Sequence, residues 1–192
     1  MKRKICVVTG SRAEYGLFNP LLRKLAVCPY FSLQLIVTGS HLLPEHGLTW
    51  KEIVRDGFPI SAKVPILSRG KETDMPRAIA AAIAGISPAL SKLRPQAVLL
   101  LGDRYETFAA AVSAFTKRIP IAHLYGGETT EGALDEGFRH SITKMSSLHF
   151  VSTPEYRRRV IQLGEDPRRV HCVGALGGDN ALGIKFIPRE KL

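Results

Sequence analysis

The sequence predicts an α/β protein built on a doubly wound parallel sheet, and three observations carry that prediction. Short, β-branched apolar runs alternate with stretches of helical periodicity along the 192 residues. The runs lack the in/out alternation of a half-exposed strand, so they suit parallel strands covered on both faces. Most of them end in a glycine- or serine-containing turn, and in a parallel sheet those turns gather at one edge, where such sheets bind ligands.

The elements follow in order. Lys4–Val8 and Leu33–Thr38 read as the first two strands, with a helix over Asn19–Val27 between them. A weaker strand lies around Ala62–Leu67. Asp74 is a plausible N-cap for a long helix ending at Leu93, whose apolar positions Met75, Ala78, Ile79, Ala82, Ile83, Ile86, Leu90 and Leu93 recur at spacings of three and four. Arg94-Pro95 closes that helix, because a residue before proline is pushed out of the helical region. Strands Ala97–Leu101, Ile119–Leu124, His149–Val151 and Val170–Val173 alternate with helices Tyr105–Lys117, Glu136–Ser147 and Pro154–Leu163. No internal repeat or low-complexity tract interrupts the series, and 192 residues suit one domain with a sizeable core.

Composition narrows the function. Charged residues make up 23% and apolar residues 45%, the balance of an ordinary globular chain. No apolar run approaches the roughly 20 residues of a membrane span, and the apolar part of the start, Ile5–Val8, is too short for a signal peptide. Cys6, Cys28 and Cys172 show no metal-ligand spacing; Cys6 and Cys172 fall in apolar runs and read as buried thiols of a cytoplasmic protein. The net charge of +10 concentrates at Arg157-Arg158-Arg159 and Arg168-Arg169 without aromatic stacking positions or a nucleic-acid motif. It reads as a solvated face assisting an anionic small molecule. The six histidines lack HxH or HxxxH spacing, so no metal is expected, and the absence of GxGxxG argues against a dinucleotide cofactor.

The chemistry-bearing residues sit in the turns. Gly10-Ser11-Arg12, Gly39-Ser40-His41, Gly102-Asp103-Arg104 and Gly126-Gly127-Glu128 each follow a strand. Glycine there allows close backbone approach, and the helix N-termini beyond favour anions. Asp103 could also serve merely as a helix cap, and His123, inside a strand run, as a satisfied core histidine. From Gly126 to His149 polar density peaks: Glu128, Glu131, Asp135 and Glu136 are followed by Arg139 and His140. Glu136, Arg139 and His140 share a helix face at i, i+3 and i+4, while Asp135 and Glu136 also suit a first helical turn. Clustered carboxylates perturb one another's pKa and can transfer protons. The residues thus point to a carboxylate-rich, arginine-assisted site for a small anionic substrate.

Six blocks carry a resemblance: GSRAEYG at Gly10–Gly16, GSHLLPEHG at Gly39–Gly47, LGDRYE at Leu101–Glu106, GGETTEGALDE at Gly126–Glu136, RHSITKMSSLHF at Arg139–Phe150 and RVHCVGALGGDN at Arg169–Asn180. Nearly the whole chain, in order, resembles the hydrolysing UDP-N-acetylglucosamine 2-epimerases of sialic and legionaminic acid pathways. The resemblance implies the Rossmann-like, amino-terminal half of a glycosyltransferase-B fold over residues 1–176, with 177–192 beginning the crossover to a second domain. It implies conversion of a UDP- or GDP-linked N-acetylglucosamine-type sugar to free N-acetylmannosamine-type sugar, by anti elimination to a glycal and addition of water. No cofactor is implied, and the complete enzyme is expected to be a dimer or tetramer.

Carried over by position, Asp103, Glu128, Asp135 and Glu136 are the expected acid/base group. Arg12, Arg104 and His41 are expected at the substrate, with Glu45 beside His41 and with Arg139 and His140 holding the catalytic helix. The sequence departs from part of the family at Tyr125, where a glutamate would stand two residues after the strand histidine; Glu128 is the candidate to replace it. A glycosyltransferase of the same architecture and a non-catalytic nucleotide-sugar-binding module are the alternatives. The 192-residue chain alone is expected to fold without turnover.

Overall fold

The computed structural model describes residues 2–66, 74–130 and 133–178. Its seven strands are β1 (Arg3–Thr9), β2 (Phe31–Thr38), β3 (Ala62–Val64), β4 (Ala97–Leu101), β5 (Ile121–Leu124), β6 (Leu148–Val151) and β7 (Val170–Cys172). They form one parallel sheet in the order β3-β2-β1-β4-β5-β6-β7. The chain steps one way from β1 to β3 and the other way from β4 to β7. The order therefore reverses between β1 and β4, whose carboxyl ends open a crevice.

The helices are α1 (Arg12–Val27), α2 (Trp50–Arg55), α3 (Met75–Leu93), α4 (Tyr105–Thr116), α5 (Asp135–Met145) and α6 (Pro154–Gln162). On one face, α3, α4 and α5 bury Ala82, Ile86, Leu90, Ala110, Ala114 and Ile142 against Cys6, Val8, Val98, Leu100 and Ile121. The other face packs Tyr15, Phe18 and Leu22 of α1 and Ile53 of α2 against Val7, Leu35, Val37 and Leu99. No helix among the described residues is long and apolar enough to cross a membrane.

The structure corrects several boundaries. Helix α1 begins at Arg12, seven residues before the predicted start, although Gly16 and Pro20 lie within it. Ser11 caps it by accepting the Glu14 N–H, and the 15-18-22 spacing of its buried side chains outweighs the two weak helix formers. Helix α2 was not predicted, because in six residues only Ile53 is buried and no periodicity can accumulate. Asp74 occupies the N-cap position of α3 but makes no side-chain capping bond. Cys6 is buried, whereas Cys172 is exposed. β7 is the edge strand, and nothing among the described residues covers its carboxyl end.

Candidate active site

The Gly102 turn puts Asp103 at the end of β4, and the turn after β5 brings Glu128 back toward it. Arg139, from the second turn of α5, lies between them. Its Nη2 pairs with Asp103 Oδ2, and its Nη1 donates to the Tyr125 carbonyl at 2.9 Å and to Glu128 Oε2 at 3.4 Å. Glu128 Oε1 accepts the Ser152 hydroxyl at 2.7 Å from the end of β6. Three strand ends and one helix thus converge on a guanidinium that is 7% exposed. Its Nε has no partner among the described residues.

Backbone conformation makes this convergence possible. Tyr125 adopts φ of +65°, uncommon for a non-glycine residue, and its carbonyl engages Arg139. Gly127 follows at φ +78°, where a Cβ would lie 2.5 Å from the Tyr156 carbonyl. Glycine is required there, and the Arg159 guanidinium clamps the Gly127 carbonyl at 2.5 Å. Arg157 likewise bonds the carbonyls of Val170 and Pro167. Two members of the basic triplet are therefore structural clamps, not a free cationic face. His123 is buried, its Nε2 2.8 Å from the Gly102 carbonyl and its Nδ1 3.2 Å from the Thr143 hydroxyl. Burial pushes its pKa down to about 3, so it is a neutral strut for the Asp103 turn.

Burial raises the Asp103 pKa above the ordinary range; Arg139 opposes that shift and Asp135 adds to it. Asp135 thus belongs electrostatically to the same cluster. Asp103 does not cap α4; that position is Arg104. Glu136 sits in the first turn of α5 with its carboxylate 3.4 Å from His140 Nε2, so these two pair with each other while Arg139 faces the strand ends. Glu131 lies outside the described residues.

The remaining expected contacts are placed differently. Arg12 is exposed in the first turn of α1 and pairs with Glu52 at 3.1 Å. Arg104 turns toward Glu106, with bonds of 3.2 and 3.0 Å. His41, expected at the substrate, is fully buried, with Nε2 3.2 Å from the Thr9 hydroxyl and Nδ1 2.7 Å from that of Thr49. Desolvation lowers its pKa to about 4. It holds the loop after β2 against β1 and offers no surface to a ligand. Glu45 is exposed in the 3-10 turn Pro44–His46.

Two buried carboxylates beside the crevice went unpredicted. Glu14 accepts the Gly10 N–H at 2.7 Å, and Glu106 anchors Arg104. A signal for the first was present: Ser11-Arg12-Ala13-Glu14 is the S-x-x-E pattern of a capping box. Nothing local marks Glu106, which reads as an ordinary acidic residue of a first helical turn.

The sequence profile of the UDP-N-acetylglucosamine 2-epimerase family matches residues 23–191. The chain belongs to this family. Over its whole length it is 42% identical to a protein of Campylobacter jejuni named GDP/UDP-N,N'-diacetylbacillosamine 2-epimerase (hydrolyzing), of which it covers 50%. A UDP-N,N'-diacetylbacillosamine 2-epimerase (hydrolyzing) of Legionella pneumophila is 40% identical over 191 residues, which are 99% of this chain and 50% of that protein. The chain thus spans about half the length of these relatives. Among solved structures, the UDP-GlcNAc 2-epimerase of Neisseria meningitidis bound to UDP-GlcNAc superposes with a TM-score of 0.84 at 20% identity. That match covers 93% of this chain and 48% of the other. MurG of Acinetobacter baumannii superposes at 0.60, covering 81% of this chain and 42% of its own. The epimerase-family fold is accordingly the Rossmann-like sheet of a glycosyltransferase-B half.

Proposed function

We propose that this chain is the catalytic half of a hydrolysing 2-epimerase acting on a UDP- or GDP-linked N-acetylated amino sugar in the cytoplasm. The observation that carries the reading is Arg139, buried between Asp103 and Glu128 at the carboxyl edge of the sheet. The hydrolysing epimerases to which the chain is 40 and 42% identical support the same reaction.

In this reading a carboxylate of the Asp103, Glu128, Asp135 and Glu136 group removes the C2 proton. The C1–O bond to the nucleoside diphosphate breaks on the opposite face, leaving a glycal. Water then adds at C1, and a proton returns to C2 from the other face. Burial raises the Asp103 pKa, the direction that makes a carboxylate a better proton acceptor. Arg104, Arg12 and the helix N-terminus after Gly10-Ser11 would receive the leaving phosphates. Arg139 keeps two of the carboxylates at fixed separation, which preorganises the site. The edge is one wall of the cleft. A second domain beginning after residue 176 supplies the other, so the 192-residue chain binds nucleotide without turnover.

Asp103→Asn in the two-domain enzyme tests the assignment. The variant should fold and lose at least about 100-fold in release of free amino sugar and UDP, the scale of a general acid/base group. Near-normal turnover, followed by NMR, would remove Asp103 from the chemistry.

A further inference from the structure

Beneath the loop after β1 lies a carboxylate pair that the proposed reaction does not use. Glu14 of α1 is 5% exposed and Glu106 of α4 is 1% exposed. Glu106 accepts from two nitrogens of the Arg104 guanidinium, Nε and Nη2. Glu14 has none of these: its Oε2 accepts the Gly10 N–H at 2.7 Å, and its Oε1 lies 3.3 Å from the Thr107 hydroxyl. That hydroxyl is also 3.5 Å from the Leu101 carbonyl. Both contacts are made by the single Thr107 hydroxyl proton, so Glu14 holds that donor only in part, and among the described residues no ion pair reaches Glu14.

The same few ångströms contain the loop itself. Gly39, at φ +58°, passes so close that its missing Cβ would lie 2.6 Å from the Gly10 carbonyl and 2.7 Å from Glu106 Oε1. Ser40 Oγ donates to that Gly10 carbonyl at 3.1 Å. The Gly10 residue is therefore held from both sides, at its carbonyl by Ser40 and at its amide by Glu14. The charged groups that act on Glu14 are Glu106 and Arg104 from the start of α4; Tyr105 senses the same two, and His41, on the neighbouring loop after β2, is neutral and bonded to Thr9. Arg12, on its own helix, points outward to Glu52.

We propose that Glu14 is a positioning residue that works as a neutral acid, tying down Gly10 while leaving the loop without a second buried negative charge. This rests on the reading that nucleotide phosphates bind at this edge. A pair of ionised carboxylates under the loop would oppose a diphosphate at the α1 N-terminus; one neutral and one matched by Arg104 leave the amides and guanidinium attractive. Burial, the leading influence, lifts the Glu14 pKa to about 7; the Glu106 charge adds to the rise, and the Gly10 and Thr107 hydrogen bonds and Arg104 oppose it without cancelling it. Above that pH the carboxyl loses its proton, and diphosphate binding weakens.

Carbon-detected NMR of glutamate carboxyls, without ligand, tests the proton directly. One resonance should titrate near pH 7 and vanish in Glu14→Gln. UDP is then titrated at pH 6.5 and 8.5 while the Gly10 and Ser11 amides are followed. Affinity should fall about tenfold more in the native protein than in Glu14→Gln, each pKa unit of linkage being worth a factor of about ten. Glu14→Gln controls for the phosphate's own ionisation, whose second pKa is about 6. Glu14→Ala should weaken binding at both pH values, and glutamine should rescue it. Titration of Glu14 near 4.5, or an equal pH dependence in Glu14→Gln, overturns the proposal. A Glu14 resonance titrating near 7 with UDP moving no Gly10 or Ser11 amide would instead remove the nucleotide reading, and the binding role with it.

Discussion

Replacing Arg139 with methionine should expose how much the site depends on one cation. The guanidinium is 7% exposed, and its partners Asp103 and Glu128 are 18 and 25% exposed. Methionine fills similar apolar volume but takes the guanidinium from Asp103, from Glu128 Oε2 and from the Tyr125 carbonyl, while Glu128 Oε1 keeps the Ser152 hydroxyl. Breaking a fully buried pair costs about 3–5 kcal/mol. Partial solvation of the two acids argues for the lower end, about 3 kcal/mol at pH 8. At about 2–4 °C per kcal/mol for a chain of this size, the melting temperature falls by about 6–12 °C. The loss carries a pH signature. Without Arg139 the folded-state pKa of Asp103, already raised by burial, rises further. Stability is then greatest below the ordinary carboxylate pKa and is lost as pH rises through the folded value, so the deficit shrinks as the pH falls. Urea unfolding followed by circular dichroism measures both effects. Adding Asp103→Asn to Arg139→Met should restore at least about 1 kcal/mol, as expected for residues in direct contact. A deficit below about 1 kcal/mol at pH 8, or one independent of pH, would refute the view of Arg139 as the electrostatic keystone of this edge.

Two further substitutions or titrations probe the scaffold. Gly39→Ala combines a positive φ with a Cβ placed against the Gly10 carbonyl, and should destabilise the fold by about 3 kcal/mol; a change under about 0.5 kcal/mol in urea would contradict that packing. His41 and His123, with pKa values lowered to about 4 and about 3, should both be neutral at pH 5.5 by nitrogen NMR. Because their folded values are depressed, the stability they confer is complete above about 6.5 and declines as pH falls through 4 and then 3. A ring protonating above pH 6 would show that it is not sealed from solvent.

Sequence alone determined the order of the seven strands and of five of the six α-helices among the described residues, the parallel sheet, and the edge that carries Asp103 and Glu128. Those features are local: a β-branched run or a three-four apolar spacing is set by residues a few positions apart, and a turn glycine reports its own backbone. The reach of Arg139 to Asp103 was not legible: spacing put Arg139 on one helix face with Glu136 and His140, whereas those two pair with each other and the guanidinium bridges Asp103 and Glu128.

Tertiary structure alone decided which polar residues stay open at the carboxyl edge of the sheet and which are sealed beneath it. His41 and Asp103 each follow a strand-end glycine, yet His41 is sealed between Thr9 and Thr49 while Asp103 remains partly open. Glu14 and Glu106 look like ordinary first-turn acids, and they become a buried pair only because segments 92 residues apart in the chain meet beneath Gly39. Cys172 sits in an apolar run but ends the edge strand, where no described neighbour covers it. Burial is a property of what packs against a residue, and long-range partners leave no periodic trace in the residues around it.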